Sequence, residues 1–170
     1  MDLFEQLTVL PTTLWRVQES LSPALWRVRS GPFAFVEHCW HLADLERLGF
    51  GSRVERLLAE ERPFLPDFDG EKVAAERQYL VLSVGAGIRA FAAARAHNLA
   101  TLRAMTPGQW ERSGTQEHVG RVTIADLPRR MLEHDRAHAN EIADLLADLA
   151  PGHPSIAELR NDGPASSQAA

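Results

Sequence analysis

The chain has 170 residues, 18 of them basic and 23 acidic, with 45% hydrophobic and 24% charged side chains. That is the composition of one globular domain with a core of its own, and it excludes wholesale disorder. The net charge of −5 argues against nucleic acid as a partner, and the single cysteine, Cys39, excludes an internal disulfide or a Cys-rich zinc site.

Met1-Asp2-Leu3-Phe4-Glu5 is acidic where an export signal would be basic, and no run approaches the ~18 apolar residues of a membrane span. A cytoplasmic protein without a membrane segment is expected. The first 30 residues are periodic but punctuated by Pro11 and Pro23, which predicts a first helix that bends or restarts at Pro11 and stops near Leu21. From Phe33 to about Glu61, Val36, Trp40, Leu45, Leu48, Val54, Leu57 and Leu58 mark one broad helical stripe. Arg62–Gly70 carries Pro63 and Pro66 and reads as a crossover connection rather than a tight hairpin.

A third helix is predicted from Glu71 to about Met105, rich in Ala, Leu and Arg and free of proline. Gly85 and Gly87 lie midway along it; with no strand before them they read as a close helix approach or a local bend, not as a nucleotide loop. Lys72 is the only lysine, and no Gly-rich loop precedes it, which excludes phosphate-loop and Schiff-base chemistry. Residues 107–122 form an irregular link in which only Glu117–Val122 reads as extended. A fourth helix runs from Thr123 to about Leu149, with Pro128 near its start. After Pro151 the chain is small and polar and is expected to form a flexible tail over residues 151–170, following a bundle over residues 1–150. The fold class is therefore all-α, a four-helix bundle.

Chemistry in such a bundle comes from inward-facing side chains on neighbouring helices. Glu133-His134-Asp135-Arg136-Ala137-His138 places two imidazoles at i and i+4, on one helix face with Cβ atoms ~5–6 Å apart, where both rings can hold one ion. The second helix offers His38 and His41 at i and i+3, roughly 60° apart around the axis, so only one is expected to point at the bundle centre. His41 shares its face with Glu37 and Asp44, His38 with Leu42 and Leu45, and the residues alone read His38 as a packed or surface histidine.

The run Glu37-x-x-x-His41-Leu42-Ala43-Asp44-x-Glu46-Arg47 resembles the second-helix motif of the DinB-like (DinB/YfiT-like) metalloenzyme family. Pro66-Asp67-Phe68-Asp69 resembles that family's crossover loop, Gly120–Leu127 its lead into the last helix, and His134-Asp135-Arg136-x-His138 its His-x-x-x-His. The resemblance covers about residues 33–149. It implies an up-down-down-up bundle with a long crossover between helices two and three. It also implies a divalent transition metal, nickel or zinc first and iron next, on His41, His134 and His138. A departure is Glu141, where many relatives carry Gln.

The family is similar to bacterial thiol-dependent transferases, so the resemblance implies transfer of a low-molecular-weight thiol to an electrophilic small molecule. Hydrolysis or isomerisation at the same metal is the alternative, and a non-catalytic bundle that dimerises or binds a partner is a third reading. Three neutral imidazoles suit zinc, nickel, iron or copper better than magnesium or calcium, and three protein ligands leave positions open for water or substrate. Glu37, Asp44, Asp135 and Glu141 are the nearest carboxylates that could orient the rings, though each also fits a surface or cap role. His97, His118 and His153 have no partner at ligand spacing. Cys39 and Tyr79 read as packing, and the four tryptophans as core or bundle-end residues. Arg129-Arg130, with Arg121 just before, could hold a carboxylate or phosphate near the bundle mouth, but a solvated face is the simpler reading.

Overall fold

Asp2 opens the first short helix α1 (Leu3–Gln6) with a reciprocal cap, its Oδ1 accepting from Glu5 N at 2.8 Å while Glu5 Oε2 accepts from Asp2 N at 2.7 Å. The chain breaks at Leu7-Thr8 and restarts as α2 (Val9–Ser20), so Pro11 lies in a first turn, where its missing N–H costs nothing. The computed structural model describes residues 1–161. After a 3₁₀ turn at Pro23–Leu25 comes α3 (Phe35–Asp44), which runs through a π-helical stretch, Leu45–Gly51, into α4 (Ser52–Ala59). The strand β1 (Phe64–Leu65) and helix α5 (Gly70–Arg77) follow, then a 3₁₀ turn at Tyr79–Val81 and α6 (Val84–Arg103). A short α7 (Pro107–Trp110) leads to β2 (Ser113–Gln116), β3 (Gly120–Thr123), a 3₁₀ turn at Ile124–Asp126, α8 (Leu127–Leu149) and α9 (Ile156–Asn161).

The fold is mostly helical: α3 lies against α6 and α8, and α2 against α6 and α9. The second and fourth predicted helices are present, with ends shifted by a few residues. The third is not one helix. Gln78 adopts a left-handed conformation (φ 52°) and ends α5, and Ser83 Oγ caps α6 by accepting from Ala86 N. Tertiary anchors override the local Ala-rich propensity here: Tyr79 donates to Asp44 Oδ2 at 2.6 Å, and Arg77 pairs with Asp44 while lying over Trp40. Gly85 and Gly87 therefore sit in the first turn of α6. A Cβ at Gly87 would meet Trp40 at 3.1 Å and the Cys39 Cβ at 3.2 Å, the close helix approach the sequence suggested.

The all-α expectation needs a second correction, because a small three-stranded sheet closes one end. β1 pairs parallel with β2, and β2 antiparallel with β3, in register Ser113↔Thr123 and Gln116↔Gly120. Glu117–Val119, expected to be extended, is instead the hairpin turn, with His118 at φ 58° and Gly120 at φ 92°. The tail is also revised: Ile156 and Leu159 of α9 are buried in the core, so the chain stays packed beyond residue 150. The rest of that expectation, residues 162–170, lies outside the described residues.

Two apolar clusters fill the interior. One holds Leu14, Phe35, Cys39, Ile88, Phe91 and Ile142, the other Phe50, Leu57, Leu99, Leu102, Leu127 and Met131. At their seam Arg95, 2% exposed, donates from Nη1 to Asp135 Oδ2 at 2.7 Å and to Leu7 O at 2.8 Å, and from Nη2 to Glu46 Oε2 at 2.9 Å. Asn98 also donates to Glu46, at 2.8 Å. Replacing Arg95 by Met leaves two buried carboxylates facing each other without a cation. The expected loss is ~3–5 kcal/mol of stability in urea unfolding; a loss below about 1 kcal/mol would mean that the seam is not held by this ion cluster.

Candidate metal centre

α3 presents His38 and His41 and α8 presents His134 and His138 to one interior point, just beside the Arg95 cluster. The His134 and His138 ring centroids are 4.4 Å apart, His41 and His138 4.8 Å, and His41 and His134 5.5 Å. One ring nitrogen from each of the three lies within 4.8 Å of the other two, and the Nε2 atoms of His134 and His138 are 3.2 Å apart. Two nitrogens held ~2.0–2.1 Å from one ion, at angles between square and tetrahedral, are ~2.9–3.4 Å apart. The donor set thus fits a borderline transition metal in both type and spacing. His41 Nδ1 is buried with no hydrogen-bond partner among the described residues, the kind of orphan a ligand relieves.

Aromatic rings enclose the cluster. Phe33 packs 5.2 Å from His41, 5.4 Å from His38 and 6.3 Å from His138, Phe68 lies 5.8 Å from His41, and Phe50 lies 6.3 Å from His134. Gly70 at the start of α5 presses on His41, where an added Cβ would come within 2.7 Å of the ring. His41 and His138 are buried, whereas His134 is half-buried, so the cluster meets solvent at the His134 side. A pocket of about 560 Å³ opens behind Phe33, and a second of about 210 Å³ opens beside Phe68.

The structure separates the four neighbouring carboxylates. Glu37 forms a two-point ion pair with Arg29 and accepts from Ala34 N; Asp44 serves Tyr79 and Arg77; Asp135 serves Arg95. Only Glu141 reaches a ring, its Oε2 3.1 Å from His138 Nδ1. His38 is packed, as expected, yet it touches the site: its Nδ1 is 3.0 Å from His138 Nδ1. His138 therefore turns Nε2 toward His134 and Nδ1 toward His38 and Glu141, and His38, His138 and Glu141 form a second, overlapping group of close donors. The signal for His38 in the sequence was its i,i+3 relation to His41, which the apolar neighbours Leu42 and Leu45 outweighed. His97 and His118 are exposed and His153 is half-buried in a loop, all three away from the cluster. Cys39 is fully buried, which pushes its thiol pKa up and removes it as a nucleophile.

The family model described as the DinB superfamily matches residues 6–142. Among solved structures, YfiT from Bacillus subtilis, described as a probable metal-dependent hydrolase with an unusual four-helix bundle topology, superimposes with a TM-score of 0.77 at 18% identity. The match covers 86% of this chain and 85% of that one. At this identity the likeness speaks for the fold. No curated protein matches the sequence at a significant level.

Burial is the main cause of the histidine pKa shifts: it pushes His41 and His134 down to about 4 and His38 to about 3, and His138 falls lower still because three imidazoles surround it. All four rings are neutral at pH 7, the state in which a ring nitrogen can bind a metal. Because these folded-state values lie below the unfolded value of ~6.5, the unfolded chain takes up protons first as pH falls. The stability of metal-free protein is expected to be level above about pH 7 with respect to these rings and to decline from about pH 6.5 to 4. Urea midpoints across that range should fall less steeply in His134→Ala; an equal fall would show that the ring at 134 is not held neutral.

Proposed function

The chain belongs to the DinB superfamily, and from that premise we propose that it is a metal-dependent enzyme that binds a divalent transition metal, nickel or zinc, through His41, His134 and His138. The observation that carries this reading is the convergence of three neutral, enclosed imidazoles with one solvent-facing side. The up-down-down-up helix order implied by the resemblance belongs to the same proposal. Held by His41, His134 and His138, such an ion would supply the Lewis acidity that favours the deprotonated form of a water or thiol.

The protein's own residues perform the remaining work. His38 fixes the His138 ring by engaging Nδ1 at 3.0 Å, with the Glu141 carboxylate 3.1 Å from the same nitrogen, and this leaves Nε2 for the ion. Phe33, Phe50 and Phe68 pack on the rings and limit water around them, and the half-buried His134 is the ligand we place nearest the incoming substrate. Cys39 is inaccessible, and the Tyr79 hydroxyl is engaged by Asp44, so neither side chain serves as the nucleophile. The nucleophile is then a small molecule that enters with the substrate. A low-molecular-weight thiol transferred to an electrophile is the reading we favour from the resemblance, and hydrolysis, the activity in the description of YfiT, is the second.

Elemental analysis of the purified protein should find about one equivalent of transition metal, absent from His134→Ala. Protein that arrives metal-free and also refuses added nickel and zinc would overturn the reading. Glu141→Ala should weaken metal retention against a chelator by ~10–100-fold, because it removes the carboxylate 3.1 Å from the His138 ring. Incubating metal-loaded protein with electrophiles and with esters or amides, each with and without added thiol, separates transfer from hydrolysis.

A further inference from the structure

The chain holds two deeply buried arginines, and they are treated differently. Arg95 has two carboxylates and a carbonyl around it. Arg53, 8% exposed, donates no hydrogen bond to any described residue; its Nε, like that of Arg95, is buried without a partner, but unlike Arg95 it has none on its Nη atoms either. Its nearest acid, Asp67, lies 3.7 Å from Nη2, is 41% exposed, and already accepts from Gln116 Nε2 at 3.1 Å. Gln116 in turn accepts from Arg130 Nη1 at 3.1 Å, which brings a second guanidinium near Arg53 through a neutral amide. Burial pushes the Arg53 pKa down; the Asp67 carboxylate opposes that shift and the like charge of Arg130 adds to it.

This cation stands next to the candidate metal centre. Arg53 lies over Phe50, its Cζ 5.8 Å from the ring centroid, and the other neighbour of that ring is His134. Arg130 is one helical turn before His134 on α8, on the half-buried side through which the cluster meets solvent. Arg53 also lines the pocket of about 210 Å³ bounded by Gly49, Ser52, Asp67 and Phe68, and the Phe68 ring packs on His41. Of the other cations at hand, Arg56 is fully paired with Glu60 and the Phe64 carbonyl.

We propose that Arg53, with Arg130 beside it, is an anion subsite that binds an oxyanion group of the substrate, a carboxylate or a phosphate, next to the histidine cluster. A planar pair of anionic oxygens matches the guanidinium fork and supplies the partners that Arg53 lacks. The proposal deepens the enzymatic reading by naming the substrate as an anionic small molecule, and it rests on that reading for its place in catalysis.

Full-length protein, as purified and again after chelation, is titrated with succinate and separately with inorganic phosphate by calorimetry. Saturable binding of one of them is expected, weakened at least tenfold in Arg53→Met and in Arg130→Met and unchanged in Arg89→Met, an exposed arginine of α6 away from the pocket; which anion binds identifies the group. Arg53→Met should also unfold at the same or a higher temperature than the parent, because it removes an unsatisfied buried charge. Absence of binding by both anions, binding that persists in Arg53→Met, or a marked drop in that variant's unfolding temperature would each overturn the proposal. Because the chelated protein is tested in parallel, failure here leaves the metal reading standing, and loss of the metal leaves this titration interpretable.

Discussion

The arrangement depends first on one buried guanidinium. Arg95 on α6 ties Glu46, in the π-helical continuation of α3, to Asp135 on α8. Apolar helix faces can slide by a fraction of a turn at modest cost, but leaving any member of this trio without its partners costs several kcal/mol. The trio therefore sets the relative heights of the helices that carry the histidines. Asp135 is next to His134 in the chain, and Glu46 follows His41 by little more than a turn, so fixing the ions also fixes the rings. The π-helical stretch contributes here: π-turns widen a helix locally and recur at functional sites, and this one delivers Glu46 to the seam and Phe50 to His134.

A second constraint follows from dryness. Rings enclosed by Phe33, Phe50 and Phe68 cannot hold protons at neutral pH, and four such rings around one point repel protonation further. The same burial that makes imidazolium unfavourable makes a neutral imidazole with an unpartnered nitrogen costly, as at His41 Nδ1 and His38 Nε2. A cluster of this kind costs stability in the free protein, and a ligand held by His41, His134 and His138 offsets part of that cost.

Much of this was legible in the sequence, and the rest was hidden for identifiable reasons. The long helices were visible because a buried helix face repeats its apolar residues at 3.6-residue spacing over many turns, and the i,i+4 pair His134 and His138 converges as helix geometry dictates. The break at Gln78 was invisible because its cause lies in distant residues: Asp44 and Trp40 hold Arg77 and Tyr79 across the fold. The sheet was invisible because Ser113–Gln116 and Gly120–Thr123 are short, polar and glycine-containing, and of their hydrophobic residues only Val122 is buried. α9 escaped notice because two apolar residues, Ile156 and Leu159, are too few to show a period. The four carboxylates were equal in sequence terms; only the paths of Arg29, Arg77 and Arg95 decided that three of them answer to guanidiniums and that Glu141 answers to His138.

The same logic separates structural charge from chemical charge. Glu37, Asp44, Glu46 and Asp135 each meet a guanidinium within the fold, so their charges are neutralised where they stand and serve to locate helices. Glu141 and Arg53 are not neutralised in that way, and both lie at the rim of the histidine cluster, one touching His138 and the other separated from His134 by the Phe50 ring. A fold that pairs Glu37, Asp44, Glu46 and Asp135 within itself, yet leaves an acid beside a ring nitrogen and a guanidinium facing a pocket, sets its unmet electrostatic demand around the histidine cluster: Glu141 at the Nδ1 edge of His138, Arg53 beyond the Phe50 ring that faces His134. The ion-pair pattern and the ring geometry, which are independent observations, thus single out the same cluster from two edges.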